Sequence, residues 1–436
     1  MDSVTIGFIG LALGLLLIAL RVQIGVALGA VSFMGIATIL NYKAAWGMVT
    51  AVPFNFVGDW NLTAIPMFLL MGYIAGATGL SQGLFGAARI LLSRLPGGLA
   101  VASVGACGLL SAASGSSVAV SAAFARIATP EMLRYKYDPG LASGVVASAG
   151  TLGSLIPPSI IMILYGYVAE VSIAKIFMAG FIPGILSAVM FSLMIIIRVK
   201  LNPRLAPTID EKFTTKEKLD SLKEVWPLPV LIISVLLGIL LGFFTPTEAG
   251  AVGAALAILL AAIKRTLSWN SVKTSVLQTL SGTASIFMVV IGTVLLGRFM
   301  ALSGVPTFIT DWFMVLGTGP LTIILVVTLL YLILGCFVDS IGLLLLTLPI
   351  FLPVAREAGM DLIWFGIILV KLLELGMVTP PVGLNIYVTK SALGNLVSLT
   401  TVFRGAGWFV VTDLITVALL VAFPWLSLYL PSIMVY

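Results

Sequence analysis

The chain has 436 residues, 60% hydrophobic and 9% charged, with a formal net charge of +6 and a mean hydropathy of +1.19. Apolarity at this level excludes a water-soluble domain and identifies an all-α polytopic membrane protein. With no histidine, imidazole relays and His-ligated metals are excluded, and the missing GxxxxGK[ST] pattern excludes ATP hydrolysis by this chain.

In chain order, the first apolar stretch, 4–20, follows Asp2 instead of a basic segment and precedes no small-residue cleavage site, so it reads as a retained helix. A second span, 24–40, is followed by "NYKAAWGMVTAVPFNFVGDWNL" (41–62), an interfacial arm set against bilayer or a partner subunit. Further spans are expected at 62–85, 141–168, 176–197, 226–244, 247–263, 276–298, 361–388 and 406–430. Two more apolar segments, 97–129 and 320–354, are too long for one crossing and break at "SGSS" (114–117) and "VDS" (338–340). Each arm has about 14 residues, or about 20 Å of helix, too short to span, so both are read as re-entrant hairpins. Cys107 and Cys336 lie in apolar segments and read as packing residues rather than a redox pair.

The most polar stretch, "RVKLNPRLAPTIDEKFTTKEKLDSLKEVW" (198–226), divides the chain near its middle as a loop with a short amphipathic helix. Across it, a constant separation of 223 positions maps Ser117 onto Ser340, Pro130 onto Pro353, Gly153 onto Gly376, and Pro157-Pro158 onto Pro380-Pro381; Gly79 and Gly304 match at 225. The predicted crossings place 18 of the 23 basic residues, Lys212 among them, on one side and leave only Lys43, Lys175, Arg298 and Arg356 on the other, with Lys371 mid-span. That asymmetry makes the basic side cytoplasmic and both termini external. The two hairpins then enter from opposite sides, so the repeats are inverted, as in many secondary transporters.

The expected organisation is N-terminal helices and arm (1–62), a first inverted repeat (63–197), the cytoplasmic loop (198–226), two scaffold helices (227–275), a second inverted repeat (276–405) and a C-terminal helix (406–436). Each Pro-Pro lacks N–H groups and unwinds its helix, freeing carbonyls that are tolerable at membrane depth only if buried or facing a polar cavity. The half-helix N-terminus beyond each break suits a carboxylate. Two breaks and two hairpin tips therefore outline one midplane site.

At the first tip stand Ser111, Ser114, Gly115, Ser116 and Ser117; at the second, Asp339 and Ser340. An ionisable Asp339 at depth and a set of hydroxyls and carbonyls suit a hard cation such as Na⁺. Thr151 and Ser154 in one half, and Thr379 and Asn385 in the other, flank the breaks within reach of substrate. Lys371 and Glu374, at i and i+3, are expected to form a neutralising ion pair, and Arg126, Arg298 and Arg356 to snorkel to headgroups.

The segments "AIPMFLLMGYIAGATGL", "SAASGSSVAV", "GTLGSLIPPSIIMILYG", "FMAGFIPGIL", "FFTPTEAGAVGA" and "GMVTPPVGLNIYV" resemble the large membrane subunit of TRAP transporters, the tripartite ATP-independent periplasmic carriers. The resemblance runs from about residue 5 to the end. It implies the elevator-type ion-transporter superfamily fold in a bacterial inner membrane, and Na⁺-driven uptake of an organic acid delivered by a periplasmic substrate-binding protein. It also implies a small four-helix membrane subunit as a separate chain, and no nucleic-acid partner. By resemblance, Na⁺ sites comprise Ser114, Gly115, Ser117, Gly153 and Pro157, and Asp339, Ser340, Gly376, Thr379 and Pro380, with substrate near Ser116, Thr151, Ser154, Thr379 and Asn385. The second tip reads "FVDS", which departs from the C4-dicarboxylate pattern and leaves a sugar acid or another carboxylate equally open. A stand-alone di- or tricarboxylate carrier is the rival reading. A non-transporting scaffold gains nothing from two costly breaks, and an intramembrane enzyme has no convincing nucleophile with its base.

Overall fold

A computed structural model describes residues 2–80, 83–207, 214–315 and 319–434; Lys212 of the central loop lies outside them. The N-terminal helices are α1 (Ser3–Ala19), α2 (Ile24–Ile39) and α3 (Tyr42–Val57), followed by a 3-10 turn at Trp60–Thr63. The first half continues with α4 (Ala64–Ala77), α5 (Leu84–Leu92), α6 (Gly98–Ser114), α7 (Ser117–Arg134), α8 (Pro139–Ala149), α9 (Ile160–Ala169) and α10 (Ile173–Leu201). Then come α11 (Thr215–Val225), α12 (Pro227–Leu240) and α13 (Pro246–Ile263). The second half has α14 (Trp269–Ser303), α15 (Val305–Val315), α16 (Pro320–Leu334), α17 (Ser340–Glu357), α18 (Leu362–Gly376), α19 (Leu384–Leu393), α20 (Leu399–Ala422) and α21 (Trp425–Ser432). No strand occurs among the described residues.

Apart from the charged α11, most of these helices are apolar nearly all round, the composition of elements whose solvent is lipid. On α10, Ile185, Val189, Leu193 and Ile197 form an exposed i, i+4 stripe, while Phe177, Phe191 and Ile195 are buried on the opposite side. Leu321, Leu325, Leu329 and Ile333 make the same exposed stripe on α16. With hydrocarbon on one side and protein on the other, helix association relies on close packing more than on hydrophobicity. The interface of α8 with α20 shows this: a Cβ on Gly405 would lie 1.8 Å from the Gly140 carbonyl oxygen.

Both expected hairpins form, as α6 with α7 and as α16 with α17, and both expected breaks form, between α8 and α9 and between α18 and α19. The protein is thus an all-α membrane protein with inverted repeats, two re-entrant hairpins and two broken helices.

Three spans differ from expectation. The segment 62–85 yields only α4, because Gly79 at φ +70° turns the chain after α4 and the separate α5 is tied to α7 by Arg89 to Glu131 at 2.7 Å. The span 276–298 is the centre of the 35-residue α14; its polar first turns carry the helix beyond the hydrocarbon, where an apolar window does not register them. The segment 406–430 starts earlier, capped by Ser398, whose hydroxyl accepts from the Thr401 N–H at 3.2 Å. It divides into α20 and α21 at Phe423-Pro424. The arm at 41–62 is helical, and exposed Tyr42 and Trp46 stack on each other beside Phe33, as suits an interfacial surface.

Candidate functional site

At the first hairpin tip α6 ends at Ser114, and Gly115 at φ +61° reverses the chain in a conformation that costs a side-chain-bearing residue about 1–2 kcal/mol. Ser116 then caps α7, its hydroxyl accepting from the Ala119 N–H at 3.3 Å, and the Ser114 hydroxyl accepts from the Ser116 N–H at 3.4 Å. The second tip is built alike, with Asp339 capping α17 through the Gly342 N–H at 3.1 Å.

Behind each tip lies a broken helix held at glycine distance. A Cβ on Gly153 would meet Ser111 Cβ at 2.6 Å, and one on Gly376 would meet Gly335 Cα at 2.8 Å. Beyond these glycines the chain passes through the cis Pro157-Pro158 and Pro380-Pro381 bonds. The second break is bridged by the Asn385 N–H donating to the Met377 carbonyl at 3.0 Å. The Cys336 sulfur lies 3.3 and 3.1 Å from the Thr379 and Pro380 carbonyls and 2.9 Å from the Leu332 carbonyl; its one weakly donating proton serves at most one of the three, which leaves the carbonyls of the break largely uncommitted.

The repeat relation extends to side-chain contacts. Ser117 and Ser154 hydroxyls are 3.1 Å apart, and their equivalents 223 positions on, Ser340 and Met377, pair through hydroxyl and thioether at 2.6 Å. Between these pairs lies the fully buried Glu374. Its Oε2 accepts from Ser117 at 2.6 Å, and its Oε1 accepts from Ser154 at 2.5 Å and from Ser340 at 3.3 Å. One carboxylate therefore gathers hydroxyls from the first tip, the first break and the second tip. Oxygen donors of this kind fit Na⁺, a hard cation.

Glu374 does not pair with Lys371 as expected. Lys371 donates to Asp413 on α20 and lies 5.4 Å from the centre of the Phe191 ring, with both charged groups buried. The reason is tertiary: α20 and α10 cover the side of α18 that carries Lys371, while the tips cover the side that carries Glu374. Asp413 was missed in the sequence, although the rule that singled out Asp339, an ionisable group at membrane depth, applies equally to it.

Of the residues expected to touch substrate, Ser116 and Thr379 are partly exposed, and Thr151, Ser154 and Asn385 are buried. Thr151 donates to the Ser148 carbonyl at 2.6 Å, and the Asn385 amide to the Ala147 carbonyl at 3.5 Å. Asp339 is partly exposed and lines a cavity of about 370 Å³ with Gln23, Ser285 and Met288, a cavity that Glu374 does not line. Arg126 is exposed, whereas Arg298 and Arg356 line a single cavity of about 1220 Å³ with Asp59, Glu170 and Glu248; Arg356 donates there to the Ala169 carbonyl at 3.1 Å.

The family model described as "Tripartite ATP-independent periplasmic transporter, DctM component" matches residues 11–426. The C4-dicarboxylate TRAP transporter large permease protein DctM of Pseudomonas aeruginosa is 35% identical over 374 residues, 86% of each chain. The sialic acid TRAP transporter large permease protein SiaM of Vibrio cholerae is 32% identical over 425 residues, 97% of each chain. Among solved structures, the YdaH transporter of Alcanivorax borkumensis aligns with a TM-score of 0.63 over 89% of this chain and 91% of that one, at 15% identity. That likeness is one of fold.

Proposed function

This chain belongs to the DctM component family of tripartite ATP-independent periplasmic (TRAP) transporters and is a multi-pass large permease, not an enzyme; from that premise we propose that it performs Na⁺-coupled uptake of an organic acid across a bacterial inner membrane. A periplasmic binding protein delivers the acid, and a small four-helix membrane subunit braces the fixed helices. The observation that carries the Na⁺ reading is the tip-and-break geometry, in which hydroxyls from the first tip, the first break and the second tip surround one buried carboxylate.

In this reading one Na⁺ is held by Ser114, Gly115, Ser117, Gly153 and Pro157, and the other by Asp339, Ser340, Gly376, Thr379 and Pro380. Ion binding orders the tips. The acid is then received between partly exposed Ser116, the N-cap of α7, and Thr379, in the break between α18 and α19, where the positive N-terminal ends of α7 and α19 favour a carboxylate. Buried Thr151, Ser154 and Asn385 hold the breaks in shape around it. Hairpins and broken helices move as one body past the remaining helices, an elevator step. Both C4-dicarboxylates and sialic acids, the substrates in the names of the two relatives, are carboxylates, and the class of substrate is accordingly an organic acid.

Uptake into proteoliposomes holding this chain and its small partner tests the reading, with binding protein added outside and Na⁺ present or replaced by K⁺. Uptake that needs both binding protein and Na⁺ is the expected result. Uptake without the binding protein would make the chain a stand-alone carrier, and uptake indifferent to Na⁺ would remove the coupling.

A further inference from the structure

We propose that Glu374 is the positioning residue that makes the two ion sites interdependent; this deepens the Na⁺-coupled reading above and rests on it. The argument begins with a broken symmetry. A shift of 223 positions carries Ser117 to Ser340 and Ser154 to Met377, but it carries Thr151 to Glu374. Thr151 turns its hydroxyl to the Ser148 carbonyl at 2.6 Å and takes no part in the centre. Two related tips are therefore served by one carboxylate, which belongs to neither alone.

Hydrogen-bond direction gives that carboxylate its role. A serine hydroxyl has one proton and two lone pairs. Ser117 donates to Glu374 at 2.6 Å, and the one proton of Ser340 has Glu374 Oε1 at 3.3 Å and the Met377 thioether at 2.6 Å as acceptors; either way each hydroxyl keeps both lone pairs for a cation at its own tip. A cation on one hydroxyl polarises it and strengthens its bond to the carboxylate, which fixes the rotamer of Glu374. The second tip then meets an acceptor already ordered, so its ion loses less conformational freedom on binding, which is positive cooperativity. The buried carboxylate also supplies one negative charge common to both ions. Lys371 leaves that charge available, because it is engaged by Asp413.

A purely structural knot would tie the same four residues without linking the ions, so the test reads the linkage. The purified chain is melted at increasing Na⁺, with K⁺ replacing it to hold ionic strength, and Na⁺ dependence of uptake is measured in parallel. In the unaltered chain the melting temperature rises sigmoidally with Na⁺, and uptake follows a Hill coefficient approaching about 2; in Glu374→Gln both responses flatten to a coefficient of about 1. If the Gln variant fails to fold, Glu374→Asp serves, since it keeps the charge, draws the carboxylate back from the three hydroxyls and touches no residue assigned to an ion. It is expected to keep a Na⁺ response without the sigmoid. A folded variant that retains the original cooperativity overturns the proposal. An unaltered chain that shows no Na⁺ response in either measurement overturns instead the Na⁺ reading beneath it.

Discussion

The carboxyl groups of Glu374, Asp413 and Asp339 all lie within apolar segments, yet their surroundings give them different work. Asp413 forms the buried pair with Lys371, and removing one partner of such a pair leaves an unpaired charge at a cost of about 3–5 kcal/mol. Lys371→Met and Asp413→Leu should each lower the melting temperature sharply, and the double variant should recover much of the loss. A double variant as unstable as the sum of the singles would show that the two groups act separately. Asp339, partly exposed, both caps α17 and faces a cavity. Asparagine preserves the cap, whereas alanine loses about 1 kcal/mol of it. Asp339→Asn should therefore fold normally and lose Na⁺-driven uptake; uptake at the original rate would leave the residue a cap alone. Asp339 and the tip serines were legible as candidates because polar groups stand out in an apolar run. Their partners were not, since Ser117, Ser154 and Ser340 come from three segments and meet Glu374 across sequence separations of 257, 220 and 34 residues.

The helices and their interruptions were more legible, because each obeys local chemistry. Pro-Pro removes two N–H groups wherever it occurs, and an apolar arm shorter than the hydrocarbon thickness must turn back. What local chemistry leaves out is how closely a broken helix approaches its hairpin. Gly376 and Gly335 touch at backbone distance, so Gly376→Val must push the second hairpin off its break. Overpacking of this kind costs about 1–3 kcal/mol, and uptake should fall at least about 10-fold, which at 1.4 kcal/mol per decade lies within that range. Gly86→Ala is the control, because a Cβ there meets nothing within 4 Å. Equal uptake in the two variants would show that the tip and break need not stay in register. The polar start of α14, the division of α20 from α21 and the separation of α5 from α4 were missed for a related reason. A hydropathy window reports where a chain is apolar, not where its hydrogen bonds stop.

For the whole molecule, the reading of two Na⁺ entering with one organic acid has an electrical consequence. A monocarboxylate moving with two Na⁺ carries one net positive charge inward, and each charge gains about 2.3 kcal/mol per 100 mV of inside-negative potential. A K⁺ diffusion potential imposed with valinomycin should then accelerate uptake of such a substrate. A rate insensitive to potential would require a neutral stoichiometry.

The sequence by itself determined the membrane class, the inverted duplication, the two hairpins and the two breaks, because apolarity, helix length and missing proline donors act within a few residues of where they are read. Tertiary structure decided the partners: Lys371 with Asp413, Glu374 with three serines, and Arg298 with Arg356 on one cavity wall. Helices that are apolar on every side carry no stripe to say which face turns inward. Glycine contacts and the fit of neighbouring helices fix their rotation, and with it which buried charges meet.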